Sequence, residues 1–426
     1  MWAYSGSIVV FWEPIVEKIL THTLANGITI VGEPMPGVSS AALSVLIPVG
    51  AAVDPEGFEG SANILAEMMH RGAGPYDNRA LSQEYEILGT QAGHSAGVEL
   101  SSISTTLLGE NLSRAIELIG HTIRRPRLPE EELENVVQLA LQELKSLEDE
   151  PSSNVMVELS KDLYAPPFGK NSMGTVEGLQ NITIDSIRDF YQKQFVPTKL
   201  MIGVAGNFNW SQVIQSLEKE LGDWQGEKTL VQPKALKKGD SSRHLHKETS
   251  QLQIALAYPS VAIDHPDYYV ARVGVGILSG GMAGRLFIEV REKRGLVYRV
   301  SASHSGSINR AAIFCYAGTT TERADETLQV MVEELRKLSK GVSKEELQRS
   351  KADLKSRIVL SSESSSSRAG SIVSDIWNLG RVRTLDEIKQ AIDNVTGDHL
   401  ERHLNEYTVS PITLMTLGQK GLEIPQ

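Results

Sequence analysis

The chain has 426 residues, of which 41% are hydrophobic and 22% charged, a composition ordinary for a folded protein of several domains. Its formal net charge of −11 argues against nucleic-acid binding, because phosphate recognition needs clustered Lys and Arg. A single cysteine, Cys315, excludes an intrachain disulfide and fits a reducing compartment.

The N-terminal segment contains an apolar run from Ile8 to Trp12 that Glu13 and Pro14 interrupt. A secretory signal needs a basic start and a longer apolar stretch, so this segment is a poor signal. No 18 consecutive residues are apolar, so no membrane-spanning helix is expected. We therefore expect a cytoplasmic protein with neither a membrane nor a nucleic acid among its partners.

The first half of the chain predicts strands followed by helices. Runs rich in β-branched residues at 27–35 and 40–53 predict strands. Apolar residues then recur at spacings of three and four in NLSRAIELIGHTI and in the segment that starts at Leu128, which predicts amphipathic helices. The half closes on a buried strand that ends at Gly206.

The second half follows a polar, Lys-rich stretch at residues 226–245, which has the composition of a linker. It opens on a strand, LQIALAYPSV, and continues with a turn punctuated by Gly280, Gly281 and Gly284. A short helix from Arg285 and a strand near Leu296 are expected next. The Ser-rich segment from Ser361 is interpreted as a polar helix or a helix boundary, without an assigned function.

The two halves resemble each other. Closing strands end at Gly206 and Gly418, 212 residues apart, and helices start near Leu128 and Val342, 214 residues apart. Nearly constant offsets indicate a duplication. We expect an α+β fold of two homologous lobes, each an antiparallel-rich sheet packed with helices. The predicted domains are 1–225 and 246–426, joined by the linker at 226–245.

Two segments, residues 45–74 and residues 279–303, resemble the pitrilysin-type (insulinase-family) zinc metallopeptidases, processing peptidases included, and the likeness extends over the whole chain. Family members carry an inverted motif, H-x-x-E-H, in which two His bind zinc and the Glu activates water, with a later Glu as third ligand. The matching positions here are Asn63, Ala66, Glu67 and, for the later ligand, Glu143. A lone carboxylate cannot hold catalytic zinc, so the resemblance implies that this chain has lost its zinc site.

Two other groups of residues could be mistaken for metal ligands. Glu67, His70 and His94 could form a rearranged metal site, and His399 and His403 are four residues apart on an expected helix. We interpret both groups as ordinary structural residues. In the second group the Glu lies midway between the two His, on a different helix face from the one that zinc peptidases use.

The second segment is similar to the family's R-E-K-x-G-L-x-Y signature, whose Arg and Tyr match Arg291 and Tyr298. The resemblance implies that both side chains reach toward a substrate held at zinc in the other half of a clam-shell chamber. It implies a non-catalytic subunit, inactive alone, that binds peptides in a heterodimer with a zinc-containing homologous subunit. Two alternatives stay open: a structural or scaffold subunit of a larger complex, and an active metallopeptidase with a rearranged metal site.

Overall fold

The computed structural model describes residues 18–90, 92–232, 236, 239–308 and 310–425. The apolar run from Ile8 to Trp12 and part of the predicted linker, residues 233–235 and 237–238, lie outside the described residues. Within the described residues, no helix has the length and apolar character that a membrane crossing requires.

The described residues form two large sheets and one short hairpin. The strands are β1 (Leu20–Thr23), β2 (Thr29–Pro34), β3 (Ser40–Ile47), β4 (Gly72–Ala73), β5 (Tyr76–Asp77), β6 (Gly93–Ala96), β7 (Ser101–Leu108), β8 (Met201–Gly206), β9 (Ser241–His246), β10 (Leu252–Pro259), β11 (Val297–Ser305), β12 (Ala312–Thr319) and β13 (Thr413–Gly418). Strand β9 begins inside the predicted linker, so the second sheet already starts at Ser241. The domain boundaries themselves stay a prediction.

Helices cover these sheets. They are α1 (Ser61–Met68), α2 (Asn78–Ile87), α3 (Leu112–Arg124), α4 (Glu130–Asp149), α5 (Pro151–Leu163), α6 (Val176–Asn181), α7 (Ile184–Gln194), α8 (Trp210–Leu221), α9 (Tyr268–Ser279), α10 (Ala324–Lys337), α11 (Lys344–Ser362), α12 (Ser365–Leu379), α13 (Leu385–Asp393) and α14 (Gly397–Glu406), with a π-helical turn at Phe287–Glu292. The Ser-rich segment is the boundary between α11 and α12, as predicted, and Ser364 caps α12 through Ser367 N–H.

The two sheets repeat one topology, which confirms the predicted pair of homologous lobes. The first sheet has the order β1-β2-β8-β3-β7-β6 and the second β11-β12-β10-β13-β9. Read from the other end, the second order matches β2-β8-β3-β7-β6 strand for strand. In both sheets the corresponding pair is parallel, β2 with β8 and β9 with β13, whereas the other neighbours are antiparallel.

One helix of each lobe packs on the sheet of the other lobe. Helix α12 packs on β3 and β8, where Ile372 and Val373 join a buried cluster with Met201. Helix α5 packs on β10 and β13, where Val155 meets Met415. Both faces of β8 and β13 are therefore covered, which explains why every residue in these two strands is buried.

Candidate functional site

A buried carboxylate holds the start of helix α1, which carries the three positions that the resemblance matches to the zinc motif. Asp54 accepts hydrogen bonds from the backbone N–H groups of Gly60 (2.7 Å) and Ala62 (2.8 Å). These are donors that a helix N-terminus leaves without helical partners. Burial raises the pKa of Asp54 to about 6, against the opposing effect of the two hydrogen bonds.

The side chains at the three motif positions are a neutral amide, a methyl group and a carboxylate that is paired with protein groups. Asn63 is a half-buried neutral amide, and Ala66 is buried and has no donor atom. The Glu67 carboxylate accepts a hydrogen bond from His94 Nε2 at 2.8 Å and lies 3.7 Å from the Arg71 guanidinium. The hydrogen bond from His94 lowers the pKa of Glu67, so this carboxylate is a stable anion neutralised by its neighbours.

His70 and His94 stack face to face beside Glu67, with ring centroids 4.0 Å apart and an angle of 21° between the planes. His70 Nδ1 donates to the Ala66 carbonyl at 2.9 Å, and burial lowers the pKa of His70 to about 4. The remaining ring nitrogens, His70 Nε2 and His94 Nδ1, are buried and have no hydrogen-bond partner among the described residues.

This arrangement does not fit a zinc ion. A metal lies in the plane of each imidazole that binds it, about 2 Å from the nitrogen. Two nearly parallel rings 4.0 Å apart cannot direct their lone pairs at one such ion. In the part of the chain that the structure describes, no three His, Cys, Asp or Glu side chains are placed to hold a metal.

The other candidate ligands, Glu143, His399 and His403, lie on other helices. Glu143 lies on an exposed face of α4, the helix that packs on α1. His403 is buried on α14, where its Nδ1 lies 3.2 Å from Asp267 Oδ2, and His399 is half-buried on the same helix. The hydrogen bond of His403 is a structural one between α14 and the start of α9.

Arg291 and Tyr298 lie on neighbouring elements of the second lobe. Arg291 is exposed in the last turn of the π-helical segment, and its guanidinium lies 5.0 Å from the centroid of the Phe287 ring. Tyr298 is the second residue of β11 and is 69% exposed. The nearby carboxylate of Glu289 pairs instead with Lys293 and Arg294. Both side chains therefore project where a ligand can reach them.

An ion pair anchors this segment to helix α11. Arg285 Nε and a terminal guanidinium nitrogen donate to the two carboxylate oxygens of Glu346 at 2.7 and 3.0 Å. Hydrogen bonding by Arg285 lowers the pKa of Glu346 to about 2. In the turn before it, a Cβ on Gly284 would lie 2.8 Å from the Leu278 carbonyl oxygen, so the close turn requires glycine.

Sequence reasoning did not single out strand β6, which is the last strand of the first sheet and packs beside α1. It contributes His94 to the pair with Glu67, so it borders the altered motif directly. The internal repeat could have indicated strand β6, because β6 and β11 occupy corresponding places in the two sheets. Strand β11 is the one that carries Tyr298.

Comparison with known families matches both halves of the chain. The family of insulinases (peptidase family M16) matches residues 29–176, and the family described as the peptidase M16 inactive domain matches residues 181–354. A two-lobed α+β chain whose halves match these two families is a homologue of zinc metallopeptidases. More particularly, the chain belongs to the M16, or insulinase, family.

Relatives and solved structures agree with this assignment over nearly the full length. The uncharacterized zinc protease YmxG of Bacillus subtilis is 29% identical over 90% of this chain and 93% of its own length. An uncharacterized zinc protease of Rickettsia bellii is 24% identical over 95% and 99%. The fold is shared with a peptidase M16 inactive domain from Pseudomonas fluorescens, at 22% identity and a TM-score of 0.86 over 96% of this chain and 100% of that one.

Proposed function

We propose that this chain is the non-catalytic subunit of a heterodimeric zinc peptidase. The observation that carries the proposal is the contrast between its two lobes. Helix α1 has Asn63, Ala66 and Glu67 where an M16 enzyme has its ligands and base. The second lobe retains Arg291 and Tyr298 in an exposed, anchored segment. A homologous partner subunit supplies the zinc, its ligands and the general base, and the two chains enclose a clam-shell chamber.

The chemistry of the two retained side chains suits peptide hydrolysis. An Arg guanidinium can grip a peptide carbonyl through charge-assisted hydrogen bonds, and a Tyr hydroxyl can donate to the oxyanion that forms as water attacks. A contact that is stronger in the transition state than in the bound substrate raises kcat. The substrates are unfolded peptides that add as a strand to a sheet edge near the partner's zinc.

The proposal can be tested on the complex that co-purifies with a tagged form of this chain. We expect it to contain zinc and to hydrolyse unfolded peptides, whereas this chain alone does neither. Arg291→Ala and Tyr298→Phe should each lower kcat/KM of the complex by roughly ten- to thousand-fold. Lys293→Ala is the matched control, because it removes a neighbouring exposed charge that pairs with Glu289. Kinetics unchanged by both variants would refute the catalytic contribution.

A structural or scaffold subunit is the second candidate. A chain of Complex III2 from Candida albicans shares the fold, at 19% identity and a TM-score of 0.81 over 94% of this chain. Co-purification with a large membrane assembly, without zinc or peptidase activity, would favour this role. Stoichiometric zinc on the isolated chain, lost to chelators together with activity, would instead support a rearranged metal site.

A further inference from the structure

The turn that joins β6 to β7 and the turn that joins β11 to β12 meet where the two lobes touch. Glu99 lies in the first turn, two residues before β7 begins, and Arg310 lies in the second, two residues before β12 begins. Because β7 and β12 occupy corresponding places in the two sheets, Glu99 and Arg310 are equivalent positions of the internal repeat, 211 residues apart. A terminal guanidinium nitrogen of Arg310 donates to the Glu99 carboxylate across this contact.

Contact between equivalent positions places this ion pair on an internal two-fold axis. Around such an axis each surface meets its own counterpart, so the contacts of the two repeats are reciprocal. The exchange of helices agrees with the axis, since α12 packs on the first sheet and α5 packs on the second. The same ionised residue at both positions would place like charges together, which is repulsive. This chain has opposite charges there, so the contact between its lobes is attractive.

The ion pair is largely shielded from water. The Arg310 side chain is 9% exposed and the Glu99 side chain 25%. The Arg310 guanidinium also lies 4.3 Å from the centroid of the Phe168 ring, a cation–π contact with the first lobe. Dissolved salt screens a buried pair less than a surface pair. Separating the lobes here would leave a buried cation without its carboxylate, which is costly.

Each turn is also held by hydrogen bonds within its own lobe. In the first lobe, the N–H of Ala52 donates to the carbonyl of Val98 at 2.8 Å. In the second lobe, the N–H of Ile263 donates to the carbonyl of Gly306 at 2.9 Å. A movement of either lobe therefore carries its own turn along, together with one member of the ion pair.

We propose that Glu99 and Arg310 are positioning residues that fix the angle between the two lobes. The turn of Glu99 follows β6, which borders the altered motif through His94, and the turn of Arg310 follows β11, which carries Tyr298. The ion pair therefore sets the separation between the altered motif in the first lobe and Tyr298 in the second. The inference goes beyond the proposed function, because it concerns this chain alone and holds without a partner or a zinc ion.

The experiment measures the distance between two spin labels on the isolated chain by double electron–electron resonance. The labels attach through Ser113→Cys on α3 and Glu326→Cys on α10, two exposed positions in different lobes. The native Cys315 should stay unlabelled, because it is buried and burial raises the pKa of its thiol to about 12. With Glu99 and Arg310 intact, we expect one narrow distance.

Three variants should change the distance distribution in a fixed order. Glu99→Ala removes the carboxylate and should broaden the distribution. Glu99→Lys places like charges on the axis and should broaden it further or add a second distance. Arg310→Lys keeps the cation and should retain the single distance. Because the Glu99 side chain is partly exposed, both of its variants should fold, which circular dichroism checks.

Arg402→Met is the matched control, because Arg402 pairs with Asp267 inside the second lobe at 3.0 Å. Its loss should leave the distance between the labels unchanged. A single narrow distance in folded Glu99→Ala and Glu99→Lys overturns the proposal. So does equal broadening in Arg310→Lys and Glu99→Ala, since charge pairing would then not fix the angle, and so does equal broadening in Arg402→Met. The kinetic test of the complex decides the proposed function independently.

Discussion

At the scale of single residues, buried titratable groups surround the altered motif. Asp54 caps α1 through two backbone N–H groups, and burial raises its pKa from 3.8 to about 6. A carboxyl group whose pKa is raised by folding stabilises the protein fully below its unfolded pKa. That contribution is lost as the pH rises through the folded pKa. The affected window therefore runs from about pH 4 to above pH 6.

Asp54→Asn should change the pH dependence of stability in one direction. Asn carries no charge to desolvate. The unfolding free energy of the variant, relative to that of the unmodified protein, should therefore rise by about 1.4 kcal/mol from pH 5 to pH 8. Denaturant unfolding at both values measures this difference. Asp77→Asn, which alters the exposed N-cap of α2, serves as the matched cap control. A difference between Asp54→Asn and the unmodified protein that does not move with pH would contradict the raised pKa.

At the scale of elements, the segment that carries Arg291 and Tyr298 depends on a contact outside itself. The π-helical turn is short, and short helices have little stability of their own. The Arg285–Glu346 pair fastens it to α11, whose N-terminus Ser343 and Glu346 close with reciprocal hydrogen bonds. The position of the segment is thus set by α11, about 50 residues further along the chain.

Arg285→Met should loosen this segment. We expect a loss of about 1.5–3 kcal/mol in unfolding free energy, because the Glu346 carboxylate loses a cation that donates two hydrogen bonds to it. Hydrogen exchange should accelerate between Leu286 and Tyr298. Since Arg285 holds the pKa of Glu346 near 2, the loss should be present above about pH 4.5 and shrink at lower pH.

Arg349→Met is the control for Arg285→Met, because Arg349 also reaches from α11 to the glycine turn but makes one hydrogen bond there, to the Ala283 carbonyl at 2.7 Å. Equal exchange rates in the two variants would show that the Glu346 pair does not position the segment.

At the scale of the whole molecule, the lobes are joined by two helices, each of which packs on the sheet of the other lobe. Glu33 on β2 and Arg368 on α12 form a buried ion pair at 2.6 Å, and Ser40 and Ser365 lie 3.0 Å apart nearby. On the reciprocal side, Arg243 on β9 pairs with Glu158 and Asp162, which both lie on α5. The lobes should therefore unfold together rather than as separate domains.

Arg368→Met should cost about 3–5 kcal/mol of unfolding free energy, because it leaves the Glu33 carboxylate buried without this cation. The double variant Glu33→Leu with Arg368→Met should recover most of that loss. Arg381→Met breaks an exposed pair with Glu387 and should cost no more than about 1 kcal/mol. Calorimetry can also count transitions: two separate transitions in the unmodified protein would contradict coupled lobes.

The sequence by itself predicted the altered motif and determined the duplication. Asn63, Ala66 and Glu67 lie on one short helix, so the loss of donors can be read without knowing what packs around it. The six-residue strands that end at Gly206 and Gly418 are short, mostly apolar segments 212 residues apart, and such a pattern can be recognised whatever packs against it.

Only the tertiary structure decided which distant groups meet. The Glu67–His94 bond joins residues 27 positions apart, the Arg368–Glu33 pair joins residues 335 positions apart, and the cavity lined by Glu99 and Trp377 has walls from both lobes. The exchange of α5 and α12 between lobes is equally invisible in the sequence, because an apolar helix face does not specify the sheet that it will cover. Periodicity indicates which face of an element is buried, whereas the partner of that face is selected by the packing of the whole chain.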